Sequence, residues 1–194
     1  MKGSKATAWE GGTRAVSFWR WPGTLKPATV EQLTSVVDLF PTFAELAGVT
    51  LDAKAKAQVE GRSLVPLLKN PQAHWADRNL VTHVGRWGGM SPGAPPEKYI
   101  KDGCGIHNSR FSLVRGETDW QLFDLKNDPS QTNDIAAQQP DVVKKLSVVY
   151  DRWWTDVQPN LVNEGAYKTA PLGQSLQGGI LETIRRRPQA RNPS

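Results

Sequence analysis

The sequence is poor in cysteine and contains no long hydrophobic run. Its 194 residues include one cysteine, Cys104, which excludes an intrachain disulfide and a zinc site built from several cysteines. No apolar stretch approaches the ~20 residues that a membrane-spanning helix needs. The N-terminus also lacks the apolar segment of a secretory signal peptide. We therefore predict no membrane partner, and the cellular location stays unknown.

The chain carries little excess charge outside its C-terminal end. Lys and Arg number 24 against 19 Asp and Glu, which gives a net charge of +5. Four arginines and one glutamate in residues 180–194 supply three of those charges, so the remainder is nearly neutral. A short arginine run attracts phosphate only locally. We interpret this tail as solvated and predict no nucleic-acid partner.

The second half of the chain predicts a small antiparallel sheet. Segments rich in strand formers occur at Asn79–Val84, Ile106–Val114 and Trp120–Leu125, and the last two have the spacing of a hairpin. Between the first two lies Gly85–Gly105, a Gly- and Pro-rich segment longer than the ~12–15 residues of ordinary loops. That length favours a functional loop.

The clearest predicted helix is Pro140–Val157. Its apolar side chains recur at steps of one and three, which is the period of an amphipathic helix. Pro140 suits the first helical position, where its missing N–H is not needed. The apolar stripe includes Trp153 and Trp154, which we therefore assign to the core rather than to a ligand platform.

The first part of the chain predicts a strand and short helices. Arg14–Trp21 is rich in strand formers, and Asp38 is placed to cap a helix over Leu39–Ala47 that ends at Gly48. Ser63–Leu68 predicts a helical turn under the core. These pieces do not make a parallel sheet of several βα units.

Few residues stand out for chemistry. Lys5 precedes a glycine-rich turn, and a lysine amine there suits a tetrahedral oxyanion. His83 ends a predicted strand where the chain enters the long loop, a common position for ligand-facing residues. Cys104 lies between two glycines without a motif that marks a nucleophile, so we interpret it as an incidental thiol in a loop or at a strand edge.

Six segments, taken in order, resemble segments of the arylsulfatases. Each is short, and together they extend from the N-terminus to the predicted long helix. The first resembles the family's Lys-Gly-Thr-x-Tyr-Glu-Gly-Gly-x-Arg, and Asn133 follows the last at the family's position. The segments are Lys5–Arg14, Trp21–Gly23, Ser35–Gly48, Gly61–Leu68, Arg110–Val114 (with Ser112 in place of a basic residue) and Leu122–Pro129.

The resemblance implies an α/β fold of the alkaline-phosphatase-like type, of which this chain holds the C-terminal portion. Residues 1–72 would form the last strand and helix of the catalytic domain. Residues 73–158 would form a small α+β subdomain, a sheet with a packed long helix. Residues 159–194 would form an irregular basic tail.

The resemblance also implies hydrolysis of sulfate esters, either aryl or carbohydrate sulfates. Such enzymes use a formylglycine made from the Cys or Ser of a Cys/Ser-x-Pro-x-Arg motif, with calcium held by Asp and Asn. Cys104 does not match that motif, and the calcium ligands have no counterpart in this chain. We therefore expect no metal site here, calcium in the complete enzyme, and no activity from the chain alone. Related enzymes of full length are often exported.

Two residues of this chain match the implied site. Lys5 matches the family's sulfate-contacting lysine, although Ala6 replaces the glycine that follows it. His83 is a looser match to a residue at the substrate mouth. The alternative function is a non-catalytic module that binds anionic glycans. Heparin retention that survives removal of residues 183–194 would favour that alternative.

Overall fold

The computed structural model describes residues 1–85, 101–116 and 119–161. The chain divides into two compact units, and the first combines residues 1–85 with 102–153. Of the second unit, only Lys101 and residues 154–161 are described. Most of the predicted long loop and of the basic tail therefore lie outside the described residues. Within the described ranges, no helix is long and apolar enough to cross a membrane.

The described residues form five α-helices and four β-strands. Two 3₁₀ turns, Val36–Asp38 and Gln158–Asn160, accompany them. The helices are α1 (Glu10–Thr13), α2 (Leu39–Leu46), α3 (Ala53–Gln58), α4 (Val65–Lys69) and α5 (Pro140–Val157). The strands are β1 (Leu80–His83), β2 (Cys104–His107), β3 (Phe111–Arg115) and β4 (Trp120–Asp124).

The four strands make one antiparallel sheet in the order β1-β2-β3-β4. A row of apolar side chains crosses it, in which Ile106 pairs with Val81 and Leu113, and Leu113 pairs with Leu122. Ile106, Leu113 and Leu122 are fully buried. Side chains alternate between the two faces of a strand, yet β2 is buried throughout. Both faces of this sheet are therefore covered.

Helix α5 covers one of these faces. Its Tyr150 is fully buried, and the ring lies 6.4 Å from that of His83 in β1 and 5.7 Å from that of Trp120 in β4. The helix has the bounds that the apolar periodicity predicts. The sequence-based prediction of a sheet with a packed long helix is thus confirmed.

Three local predictions were wrong, for identifiable reasons. Ile106–Val114 is not one strand, because the Asn108 side chain accepts the N–H groups of Arg110 and Phe111 and turns the chain between β2 and β3. Arg14–Trp21 forms no strand in the described structure, since no described strand pairs with it. Asp38 does not cap α2, because its carboxylate is engaged elsewhere.

Other local predictions are confirmed. Gly48 follows the end of α2 with a φ of +66°, which is the left-handed conformation that glycine adopts without strain. The N–H of Val49 donates to the carbonyl of Ala44 over 2.9 Å and closes the helix end. Helix α4 overlaps the predicted turn and ends one residue beyond it, at Lys69, and its Val65 and Leu67 are buried. The division at residues 72 and 158 stays a prediction.

Candidate functional site

Lys5 lies at the tip of a tight turn near the N-terminus and is exposed to solvent. The N–H of Thr7 donates to the Ser4 carbonyl over 3.1 Å, and the Thr7 hydroxyl donates to the same oxygen over 2.7 Å. Ala6 takes a φ of +65°, in the left-handed region that favours glycine. The turn is therefore kept although Ala6 replaces the glycine of the family, but the backbone of Ala6 is strained.

Two glycines let the chain around this turn close on itself. The N–H of Gly11 donates to the Lys2 carbonyl over 2.8 Å. A Cβ atom at Gly11 would lie 2.4 Å from a backbone oxygen, and one at Gly12 would lie 2.2 Å from the Thr7 carbonyl oxygen. Neither position has room for a methyl group, which explains why both are glycine. We call residues 2–12 the lysine loop.

The lysine loop packs on the sheet face opposite α5. Buried Ala8 lies against Gly105 of β2, where a Cβ would be 3.4 Å from that of Ala8. The ring of Trp9 meets that of Phe123 in β4 edge to face, with centroids 5.4 Å apart. The Lys2 ammonium lies 3.9 Å from the Trp9 ring centroid, a cation–π contact. Trp9 is therefore a packing residue.

A buried acid and a buried histidine join the lysine loop to β2. Oε1 of Glu10 lies 3.3 Å from Nδ1 of His107, an ion-pair contact that is not aligned as a linear hydrogen bond. Nε2 of the same ring lies 3.2 Å from the Ala8 carbonyl oxygen. Contact with His107 lowers the pKa of Glu10, against burial, which raises it. The carboxylate is thus kept ionised inside the protein.

A third anchor comes from the turn after β4. The fully buried Gln131 side chain accepts the N–H of Glu10 over 3.0 Å and donates to the Ser112 hydroxyl over 2.9 Å. Gln131 has a φ of +55°, and its N–H donates to the Asp128 carbonyl. The Asp128 carboxylate accepts the N–H of Asn133 over 2.8 Å. This turn holds Gln131 at the loop.

We expect opposite effects from two substitutions in the lysine loop. Ala6→Gly removes left-handed strain of about 1 kcal/mol, so amide exchange over residues 2–12 should slow about fivefold. Gly12→Ala forces a methyl group onto the Thr7 carbonyl and should abolish protection there. Hydrogen-exchange mass spectrometry measures both. Ala57→Gly, in exposed α3, is the control and should leave the loop unchanged. Equal exchange in all three variants would contradict this packing.

The structure does not bring Lys5 and His83 together. The lysine loop covers one face of the sheet, and His83 faces α5 on the other. Nδ1 of His83 accepts the N–H of Gly85 over 2.9 Å. Its ring stacks on that of Trp153 at 6.2 Å, in addition to its contact with Tyr150. A substrate-binding role for His83 stays a prediction.

Cys104 lies in the core of the sheet and is fully buried. Burial raises the pKa of its thiol to about 11, against a hydrogen bond with Tyr150 that lowers it. A thiol of this kind stays protonated at neutral pH and is not a nucleophile. The interpretation of Cys104 as a residue without catalytic role agrees with this environment.

No three His, Cys, Asp or Glu side chains within the described residues are grouped closely enough to hold a metal ion. A calcium ion prefers six to eight oxygen ligands, several of them carboxylates. The described part of the chain does not fit such an ion by itself.

Sequence reasoning missed His107 and Gln131. They lie 99 residues from Ala8 and 121 residues from Glu10, respectively, and no local pattern links them. One signal was available. A glutamate within a glycine-rich turn that closes on the core requires a buried partner, and a histidine in a continuous core strand is a candidate.

The chain belongs to a sulfatase family. The family described as N-sulphoglucosamine sulphohydrolase, C-terminal, matches residues 4–151. The chain is 30% identical over 152 residues to the N-acetylgalactosamine-6-O-sulfatase of Bacteroides thetaiotaomicron, covering 75% of this chain and 28% of that protein. Over 74 residues it is 45% identical to the steryl-sulfatase of Rattus norvegicus, covering 38% of this chain and 12% of that one.

Solved structures show the same fold. A structure from work on glycosaminoglycan metabolism by Bacteroides thetaiotaomicron superposes with a TM-score of 0.60 at 23% identity, covering 78% of this chain and 31% of that chain. Ps i-CgsB superposes with a TM-score of 0.59 at 21% identity, covering 87% and 35%. The chain thus spans about a third of these relatives and has the fold of a C-terminal sulfatase portion.

Proposed function

We propose that this chain is the C-terminal part of a sulfate ester hydrolase and that Lys5 contacts the sulfate group of the substrate. The observation that carries the proposal is the ordered lysine loop and its contacts with the sheet. Three buried contacts hold it on the sheet, and it presents an exposed amine at its tip. A fixed ammonium stabilises the negative charge that sulfate oxygens carry and develop during hydrolysis.

The remaining chemistry belongs to the part of the enzyme that this chain does not supply. The resemblance to the sulfatases implies that a formylglycine would supply the nucleophile there and that a calcium ion would polarise the sulfate oxygens. Among the described residues, the buried Cys104 thiol is not a reactive nucleophile, and no group of three His, Cys, Asp or Glu side chains could hold a metal ion. The role of this chain is to position one cation and to complete the fold.

We assign the substrate to sulfated carbohydrates. A relative that matches 75% of this chain is named for a sulfated amino sugar, and a solved structure with a TM-score of 0.57 contains a neocarrahexaose. His83 is a second substrate-facing candidate, because it ends β1 where the chain leaves the sheet. Its effect is separate from that of Lys5, since the two residues lie on opposite faces.

A hybrid enzyme tests the role of Lys5. The preceding part of the Bacteroides thetaiotaomicron N-acetylgalactosamine-6-O-sulfatase is joined to residues 1–194, and turnover of a sulfated sugar is measured with calcium present. We expect activity from the hybrid and none from the purified chain. Lys5→Ala should lower kcat/KM about 10²–10³-fold, as for the loss of one oxyanion donor.

Lys56→Ala, an exposed lysine of α3, is the matched control and should leave kcat/KM unchanged. Thermal unfolding establishes that each hybrid is folded before its activity is compared. Turnover by the isolated chain would refute the proposal that the remaining catalytic groups come from the preceding part of the enzyme. A folded and active hybrid that is indifferent to Lys5→Ala would refute the sulfate contact.

A further inference from the structure

The side chain of Gln131 supplies a hydrogen bond that helix α1 lacks locally. The first N–H groups of a helix have no partner within it, and Trp9, which precedes α1, has no side-chain oxygen to accept them. The N–H of Glu10, the first residue of α1, instead donates to Oε1 of Gln131 over 3.0 Å. The start of this helix is therefore capped by a residue 121 positions further along the chain.

The two contacts of the Gln131 amide fix its orientation. A backbone N–H only donates, so the amide presents its oxygen to Glu10. Its Nε2 then faces the hydroxyl of Ser112 in β3, which accepts over 2.9 Å. Gln131 and Ser112 are both fully buried, so both hydrogen bonds lie away from solvent. A substitution that removes the amide would leave the Glu10 N–H buried and unpaired.

The backbone of Gln131 is itself held by the turn that follows β4. Its φ of +55° lies in the left-handed region, which a residue of this type adopts only where its surroundings impose it. Asp128 closes the turn, since its carbonyl accepts the Gln131 N–H over 3.1 Å. The Asp128 carboxylate accepts the N–H groups of Thr132 and Asn133, each over 2.8 Å. This turn therefore determines where the Gln131 amide lies.

Short contacts join the capped end of α1 to the tip of the lysine loop. The N–H of Gly11, the residue after the capped one, donates to the Lys2 carbonyl over 2.8 Å. A Cβ atom at Gly12 would lie 2.5 Å from the Ser4 carbonyl oxygen, so the two backbone segments are in direct contact. Lys5 follows Ser4 in the chain. A shift of the start of α1 on the sheet would therefore move Lys5 as well.

We infer that Gln131 is a positioning residue, which fixes the start of α1 on the sheet and thereby sets where the Lys5 ammonium lies. This inference rests on the proposed function, in which that ammonium contacts the sulfate group. Gln131 acts through the lysine loop and does not itself touch the substrate. The support for the sulfate contact thus comes from the turn after β4 and not from the loop that carries the lysine.

Site-resolved amide exchange, followed by NMR on the full 194-residue chain, tests the hold on the loop. Gln131→Met keeps the length of the side chain and removes both amide contacts. We expect exchange at Glu10 and across residues 2–12 to accelerate about ten- to hundredfold, the effect of leaving a buried N–H unpaired. Residues 140–157 of α5 should keep their protection. Gln138→Met, at an exposed position, is the control.

Two further variants separate the Glu10 contact from the rest of the Gln131 environment. Gln131→Asn suits a left-handed backbone, but its amide is one methylene too short to reach Glu10. It should accelerate exchange as Gln131→Met does, and it keeps the test valid if that variant does not fold. Ser112→Ala removes the other contact of the amide and leaves the Glu10 contact in place. It should accelerate exchange at Glu10 less than either Gln131 variant.

A double-mutant cycle in the hybrid enzyme tests whether the effect reaches Lys5. We expect Gln131→Met to lower kcat/KM about tenfold when Lys5 is present, because the ammonium is displaced from its working position. In the Lys5→Ala background the same change should lower kcat/KM less than about twofold, since no amine is left to position. A residue that only stabilises the fold would lower kcat/KM by the same factor in both backgrounds.

Two results would overturn the inference. One is a Glu10 amide that exchanges at its natural rate in both Gln131 variants. The other is an equal factor in the two backgrounds of the cycle while Lys5→Ala itself lowers kcat/KM. Failure of the proposed function gives a different pattern. In that case the exchange rates change as expected, and Lys5→Ala leaves the hybrid enzyme's kcat/KM unchanged.

Discussion

The isolated chain should self-associate at micromolar concentration, and Phe18→Ser combined with Phe40→Ser should shift it to a monomer. Phe18 is 92% exposed and Phe40 is 58% exposed. Burial of a phenylalanine side chain contributes about 1.5–3 kcal/mol. Each replacement should therefore weaken association about ten- to hundredfold. Analytical ultracentrifugation over a concentration series measures the effect.

The reason lies in the first 49 residues. Apolar side chains are concentrated on the exposed surface of this segment, and Trp19 contacts Phe43 of α2 at 5.7 Å, which joins the two apolar stretches. Large exposed apolar patches mark surfaces that another part of a protein covers. Relatives extend well beyond the part matched here. The exposed side chains are Val16, Phe18, Trp21, Val30, Val36, Val37, Phe40, Phe43, Leu46 and Val49.

A matched substitution on another surface controls for general solubility. Val148→Ser replaces a 42% exposed apolar residue of α5 and should leave association unchanged. Joining the preceding part of a sulfatase, as in the hybrid enzyme, should suppress association without any substitution. A natural chain that stays monomeric and exchanges slowly throughout residues 14–49 would contradict the expectation.

Asp38→Ala should cause the largest loss of stability of any single substitution that we expect here. The carboxylate is fully buried and accepts the N–H groups of Ser35 over 2.7 Å and Arg62 over 2.8 Å. Both terminal nitrogens of Arg78 also donate to it. Removal of one partner of a buried ion pair costs about 3–5 kcal/mol, because the other charge is left uncompensated.

Trypsin provides the measurement, since cleavage after Arg62 and Arg78 requires this region to open. We expect rapid cleavage at both sites in Asp38→Ala and slow cleavage in the natural chain. The control is Asp52→Ala, which removes an exposed carboxylate that caps α3 through the Ala55 N–H. Loss of such a cap costs about 1 kcal/mol. Equal cleavage in Asp38→Ala and Asp52→Ala would contradict the expectation that Asp38 contributes more to stability than Asp52.

The ionisation of the Asp38 carboxylate predicts that the region around it loses stability in acid. Burial raises the pKa of Asp38, but hydrogen bonds from Arg78 and from the backbone of Arg62 and Ser35 outweigh it and leave the pKa below its ordinary value. A lowered pKa means that this stabilisation is complete above the ordinary carboxyl range and is lost as the pH falls through the lowered value. Protection around Asp38 should therefore persist at neutral pH and fail in acid.

Local patterns accounted for the elements that depend on local chemistry. The apolar period of α5 and the glycine after α2 were sufficient to predict both helix ends. The break between β2 and β3 was missed because it depends on one side chain, that of Asn108, within a continuous run of strand formers. Arg14–Trp21 was predicted as a strand from composition, but a strand also requires a partner.

The residues of the candidate site also divide into those that the local sequence identifies and those that it does not. Lys5 was identified through a resemblance that the family match supports, but its supports were not identified. Ala6 keeps the turn by adopting the left-handed conformation that glycine would adopt there. That backbone dihedral angle is visible in the structure and not in the sequence. His107 and Gln131 belong to the site only through contacts across most of the chain. Asp38 was predicted to cap the start of α2, whereas its carboxylate accepts hydrogen bonds from Arg78, 40 residues further along the chain.

The anchoring of the lysine loop also has a consequence for the order of events during synthesis. The loop leaves the ribosome first, and its last anchor, Gln131, follows the Glu10 backbone by 121 residues. At about 5–20 residues per second, that interval lasts roughly 6–24 s. During that interval the nascent chain carries Lys5 without the full set of contacts that holds its loop. Under the proposed function, a chain cut short before β4 would therefore carry Lys5 without the Gln131 contact that completes the support of its loop.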